Sequence, residues 1–187
     1  STYADAVARA ARVELLPRTR AATVERLSGA LRVTLAGGRS IIADGVVVAV
    51  PARAAALLLA LVAPAAAAPL RALVDAAVAL VGLAYRGDVR LPRGSGVLVP
   101  PDAGRLVKAV TFYGQKWPHA AREGITLLRA SVGRAGEPVA YDDEELVARV
   151  VAELRPLLRL PPKPFDAFVA RWDDALPQYA PGHLARV

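Results

Sequence analysis

From Asp142 to Arg159 the chain carries an amphipathic helical stripe. Leu146, Val147, Val150, Val151, Leu154, Leu157 and Leu158 recur at a spacing that gathers them on one side of a helix. Asp142 and Asp143 stand where a cap accepts backbone amides, and Glu144 and Glu145 fall in the first turn, where the helix dipole favours anions. Asp142-x-x-Glu145 resembles a capping box with Asp in place of Ser or Thr. Pro156 is expected to kink or tighten the far end. Such a stripe needs a surface to bury itself against, and the rest of the chain reads mostly as strands.

Residues 22–27 and 31–35 alternate apolar and polar side chains, and 40–43 restarts after Gly37-Gly38, which predicts a three-stranded meander with glycine hairpins. A short apolar stretch, Val13 to Leu16, precedes it. Gly45 to Val50 is apolar on both faces and predicts a buried strand, parallel to others, ended by Pro51. Ala52 to Val62 and Pro69 to Ala77 read as helices. Strand signals return at 78–85, 96–99, 106–112 and 125–132, and a last strand is expected at 165–172. From Asp173 to His183 the chain is turn-rich with little apolar periodicity. The fold class is therefore α+β: a mostly antiparallel sheet covered by helices, with partial strands of a second domain at the ends.

Composition removes several chemistries. The chain has no Cys, so thiolate metal sites, disulfides and Cys nucleophiles are out, and it has only two His, His119 and His183. Asp142 to Glu145 are better explained as a helix start than as a cation site. There is no G-x-S-x-G elbow and no Walker loop, and Gly94-x-Gly96 reaches Val99 where a dinucleotide fingerprint needs its last Gly. The net charge of +7 fits either an anionic partner or a solvated basic surface; the arginines are scattered, and no nucleic-acid motif is present. The uncharged run Ala54 to Leu70 is interrupted by Pro64 and Pro69 and reads as two short helices rather than a membrane span, which leaves a peripheral membrane contact open.

Three clusters concentrate chemistry. Phe112-Tyr113-Gly114-Gln115-Lys116-Trp117-Pro118-His119 puts aromatic faces, a cation and an imidazole just after a strand. It suits a flat acidic ligand, or else it is a strand-end loop with Trp117 packed for stability. In Arg129-Ala130-Ser131-Val132-Gly133-Arg134, Gly133 is placed to end a strand with positive φ, and Arg129 and Arg134 either hold carboxylates or lie on the surface. Arg171-Trp172 with Pro177-Gln178-Tyr179 and Gly182-His183 is either a functional segment or a linker.

These residues resemble a known family. Ala43-Asp44-Gly45 to Val50-Pro51 is similar to the strand that returns to the FAD domain in the flavin amine-oxidase superfamily. Gly94-Ser95-Gly96-Val97-Leu98-Val99-Pro100, Lys108-Ala109-x-Thr111-Phe112, Lys116-Trp117-Pro118-His119, Arg129-x-Ser131-x-Gly133-Arg134 and Arg171-Trp172-x-x-Ala175-Leu176-Pro177-Gln178-Tyr179-x-x-Gly182-His183 resemble the FAD-dependent porphyrinogen oxidases, over nearly the whole chain. The resemblance implies residues 1–51 as a partial FAD-binding domain, 52–172 as the substrate-binding domain and 173–187 as a return segment.

It implies oxidation of coproporphyrinogen III, or of protoporphyrinogen IX, to the porphyrin, with hydride passing from a meso carbon to FAD and molecular oxygen reoxidising the flavin. Positioning and electrostatics do the work, with no acid–base residue and no metal ligand. The substrate's propionates give Lys116 and Arg129 a role, and Leu98, Ala109 and Ser131 correspond to pocket walls. Val13 or Leu15 corresponds to the position that meets the adenine of FAD, and Leu184 to one beside the flavin. A cytoplasmic enzyme with no nucleic-acid partner is expected. The family's phosphate-binding glycines and its last FAD motif are missing from these residues, and Met is absent. A fragment that neither retains FAD nor turns over alone is therefore expected. The competing readings are another flavin amine-oxidase-superfamily oxidoreductase, such as an amine oxidase or carotenoid desaturase, and a non-catalytic tetrapyrrole-binding module.

Overall fold

The computed structural model describes residues 2–185. The chain forms two compact units, one running through Leu73 and taking in the segment from Leu184 onward, the other spanning Val74–His183. By compactness the chain thus divides after Leu73 and again after His183, where the sequence suggests Pro51 and Trp172.

In the first unit a helix, α1 (Thr2–Ala11), leads into the expected meander: β1 (Ala21–Arg26), β2 (Leu31–Leu35) and β3 (Ser40–Ala43), antiparallel in that order. Two short helices follow, α2 (Ala52–Leu59) and α3 (Pro64–Arg71), which bury Ala55, Ala56 and Ala67. Pro64 opens α3, where a missing N–H costs nothing, and Pro69 lies inside it. One sequence expectation fails here: Gly45 to Val50, expected as a buried strand, is neither a strand nor buried, and Val47 is 93% exposed. A β-branched run becomes a strand only when a neighbour takes up its backbone groups, and this unit offers these residues none. Among the described residues no helix is long and apolar enough to cross a membrane.

The second unit is a five-stranded antiparallel sheet. Its strands are β4 (Asp75–Arg86), β5 (Gly96–Leu98), β6 (Val107–Phe112), β7 (Ile125–Val132) and β8 (Asp166–Pro177), in the spatial order β5-β6-β7-β4-β8. A single turn, α4 (Tyr113–Lys116), follows β6, and the predicted long helix, α5 (Asp143–Leu158), lies between β7 and β8 in sequence. The helix predicted over 69–77 yields its second half to β4. There Ala76 pairs with Leu176 and Asp75 with Pro177 beyond a bulge, and the same pairing carries β8 through the stretch expected to be turns. Ladder bonds to a neighbouring strand outweigh the weak local preference of such segments.

Helix α5 begins as its sequence dictates. The Asp142 carboxylate accepts from the Glu145 amide at 2.8 Å, and the helix runs through Pro156 to end on Arg159 in the left-handed conformation. Leu146, Val150, Leu154 and Leu158 are buried, against Ala79, Val81 and Leu83 of β4, Leu128, Ala130 and Val132 of β7, and Val107, Val110 and Phe112 of β6. Tyr85 is buried on the same side; burial pushes its hydroxyl pKa up, and the hydroxyl has no partner among the described residues.

Two polar ties fix the helix to the sheet. The Glu153 carboxylate accepts from the backbone amides of Leu106 and Val107, at 2.9 and 3.0 Å. Arg171 on β8 reaches Asp143 at 2.7 Å and donates to the Tyr141 and Val139 carbonyls. Gly133 ends β7 at φ 96, as expected, and a side chain there would run into the Ala77 carbonyl. Glu153→Ala strands two half-buried amides, so we expect a loss of about 2–4 kcal/mol in urea denaturation. A loss below about 0.5 kcal/mol would mean that water takes the carboxylate's place.

Candidate ligand-binding face

Only one face of the five-stranded sheet carries α5. On the other face, residues directly paired across the strands share a side and form rows. One row runs Leu98, Ala109, Ser131, Leu80, Ala170, and the next Gly96, Thr111, Arg129, Gly82, Phe168. Three residues singled out in the sequence as pocket walls, Leu98, Ala109 and Ser131, thus stand side by side on adjacent strands. Arg129 lies one step further along the same face. Leu98 is 84% exposed, while Ala109 and Ser131 are half-buried.

The aromatic loop closes one end of this face. Phe112 turns into the core, and α4 brings Tyr113 and Trp117 together at a centroid distance of 4.7 Å. The Arg129 guanidinium sits 5.8 Å from the Tyr113 ring centre and 5.6 Å from that of Trp117, and the Lys116 ammonium 4.7 Å from Trp117. Neither cation has a carboxylate partner among the described residues. An ammonium and a guanidinium held over aromatic faces without a counter-ion are ready to meet an incoming anion. The Gln115 carboxamide, oriented to donate, reaches the Gly94 and Pro92 carbonyls and ties this loop to the one entering β5. His119 is exposed.

Not every expected site residue belongs here. Arg134 does not hold a carboxylate: it donates to the Arg105 and Val99 carbonyls, at 2.9 and 3.3 Å. Burial, and secondarily the Arg134 guanidinium, push the Lys108 ammonium below its usual pKa. Arg171 is a structural tie on the covered side. Val13 and Leu15 are 54% and 61% exposed in an irregular segment after α1, and Leu184 is 89% exposed in a short 3-10 turn. His183 stacks on Tyr179 at 4.3 Å.

Three residues of this face escaped the sequence reading, Leu80 and Gly82 on β4 and Phe168 on β8, while Trp172 on β8 was singled out only as part of the cluster around Arg171. The signal was there, since Phe168-x-Ala170-x-Trp172 alternates on one side of a predicted strand. Their partners across the sheet are distant in sequence, which kept the rows hidden. The Phe168 ring lies directly on Gly82, where any side chain on β4 would overlap it. Beside the ring opens a pocket of about 270 Å³ lined by Gly82, Ala84, Tyr113, Leu127, Arg129 and Asp166, among others.

The candidate face is an open antiparallel sheet with small and apolar residues on its floor, aromatic residues on its banks and, at one end, cations with no carboxylate partner among the described residues. The chain belongs to the flavin-containing amine oxidoreductase family, whose description matches residues 1–186. It is 41% identical over 144 residues to coproporphyrinogen III oxidase of Mycobacterium leprae, covering 75% of this chain and 31% of that one. It is 34% identical over 157 residues to coproporphyrinogen III oxidase of Bacillus subtilis, covering 82% and 33%. The chain therefore spans about a third of the length of these relatives. Among solved structures, a protein described as a protoporphyrinogen oxidase from Exiguobacterium sp. superposes with a TM-score of 0.76 at 29% identity, over 90% of this chain and 37% of that one. A reduced UDP-galactopyranose mutase shares the fold with a TM-score of 0.77 at 15% identity, over 97% and 41%.

Because Phe168 is 63% exposed, its ring has room to swing away. We expect Gly82→Ala to shift the Phe168 ring resonances while changing stability by less than about 1 kcal/mol, the usual Gly-to-Ala scale within a strand. A loss above about 3 kcal/mol would show that the ring is locked in place.

Proposed function

We propose that this chain is the tetrapyrrole-holding part of an FAD- and oxygen-dependent oxidase that converts coproporphyrinogen III to coproporphyrin III. The observation that carries the reading is the alignment of Leu98, Ala109 and Ser131 in one row beside Arg129 and Lys116. Small and apolar side chains receive the macrocycle, and unpaired cations receive its propionates. The relatives' names supply the reaction and favour the tetracarboxylate over protoporphyrinogen IX. In this reading the protein orients the substrate and the cofactor does the redox chemistry.

FAD, when bound, accepts the hydride. Residues of the first unit suit a role in holding it. Among the described residues, the backbone amides of residues 13–16 make no hydrogen bonds within the chain, so the groups of Val13 and Leu15 are free to meet a purine edge. Leu184, exposed, would lie against the flavin. The reading keeps a cytoplasmic protein, and the exposed Leu57 and Leu61 near the end of α2 are the surface that a peripheral membrane contact would use.

The chain's two tryptophans, Trp117 and Trp172, flank the face and report on it. Titration with coproporphyrin III should quench their fluorescence. Arg129→Ala should weaken binding about ten-fold and Lys116→Ala less, since Lys116 is exposed. Ser131→Phe, which fills the row, should abolish binding at unchanged stability. Saturable binding with wild-type affinity in both Arg129→Ala and Ser131→Phe would exclude this face.

A further inference from the structure

We infer that the pocket between β7, β4 and β8 is a single-ring subsite, in which one pyrrole of the macrocycle places its propionate on Arg129 and its N–H on Asp166. This deepens the tetrapyrrole reading and rests on it. The pocket, about 270 Å³, is too small for a macrocycle and of a size to hold one substituted five-membered ring. Its walls are apolar or aromatic apart from two charged groups of opposite sign. Arg129 stands in the row of Gly82 and Phe168; Asp166 stands one row further, paired with Ala84, which is itself paired with Leu127. Asp166 makes no hydrogen bond or ion pair among the described residues.

A carboxylate facing the binding site of a polycarboxylate costs affinity unless it meets a donor. The polar groups of a porphyrinogen are its carboxylates, which accept, and its pyrrole N–H groups, which donate. Asp166 can therefore recognise only the N–H. Arg129 and Asp166 lie two strands and two residues apart, roughly 10 Å along each direction or less at the backbone. Their side chains shorten that to a span that a pyrrole ring with a propionate arm can bridge. Phe168, resting on Gly82, forms the wall beside the ring. Opposite charges at the two ends of one pocket would also set which way round the ring enters.

The test uses the 187-residue chain and two probes, a dimethylpyrrole propionic acid and its N-methyl analogue, with binding followed through the Tyr113 and Phe168 ring signals. Wild type should favour the N–H probe about ten-fold, the scale of one charge-assisted hydrogen bond. Asp166→Ala should erase that preference by weakening the N–H probe alone, and Asp166→Asn should fall between. Equal affinity of both probes for wild type, or tighter binding to Asp166→Ala, overturns the assignment, the latter because it would mean that Asp166 only repels. Coproporphyrin III titrated against wild type separates the two levels. If it binds while the probes do not discriminate, the subsite falls and the tetrapyrrole reading stands; if it does not bind, the reading itself falls.

Discussion

Leu146, Val150, Leu154 and Leu158 point from one helix onto one side of the sheet, against β4, β6 and β7, and burial of that stripe is the interaction on which the rest depends. Each such side chain taken from water contributes about 1.5–3 kcal/mol. The helix is then held at two points: Glu153, in its second half, grips two amides at the start of β6, and Arg171 grips Asp143, at its start, from β8. These ties reach opposite halves of the sheet. Because a single helix covers a single face, the second face is left with its residues displayed in rows.

That second face is not an ordinary solvent surface. Leu98, Phe168 and Trp172 are each about half exposed or more, and small residues lie between them. Exposed apolar side chains gathered around a small-residue floor are the observation on which the proposed ligand face rests. From β5 to β8 it spans four strand spacings of about 4.8 Å, roughly 19 Å in all, a width suited to an extended, plate-like ligand. Arg129 and Lys116 give it one charged end. The covered face supplies rigidity and the open face supplies shape, and the alternation of side chains along each strand lets one strand serve both.

Much of this was legible in the sequence. The capped helix at 142–159, the strand at 125–132 and the three-stranded meander come from strong periodicity and clear punctuation, and they are present as read. Gly133 was placed correctly because its position after an alternating strand leaves few conformations open. What failed has a physical cause. Gly45 to Val50 carries strand-like residues, yet a strand exists only through its neighbour. Conversely, β4 begins early and β8 ends late because each has the other to pair with across a bulge. For the site, local clusters revealed Arg129, Lys116, Trp117 and Trp172, whereas Phe168, Leu80 and Gly82 needed the register of strands far apart in sequence.

In the proposed function the protein positions the substrate on this face and a bound group supplies the chemistry. The central claim is that the ligand lies on the uncovered face. The most direct measurement is a nuclear magnetic resonance titration of the chain with coproporphyrin III, reading the ring-current shifts of the two indole N–H signals and of the leucine and valine methyl groups. The account predicts large shifts at Trp117 and Trp172 and at Leu98, with Leu146, Val150 and Leu154 unmoved. Shifts confined to the methyls under α5, or none at either tryptophan, would contradict it.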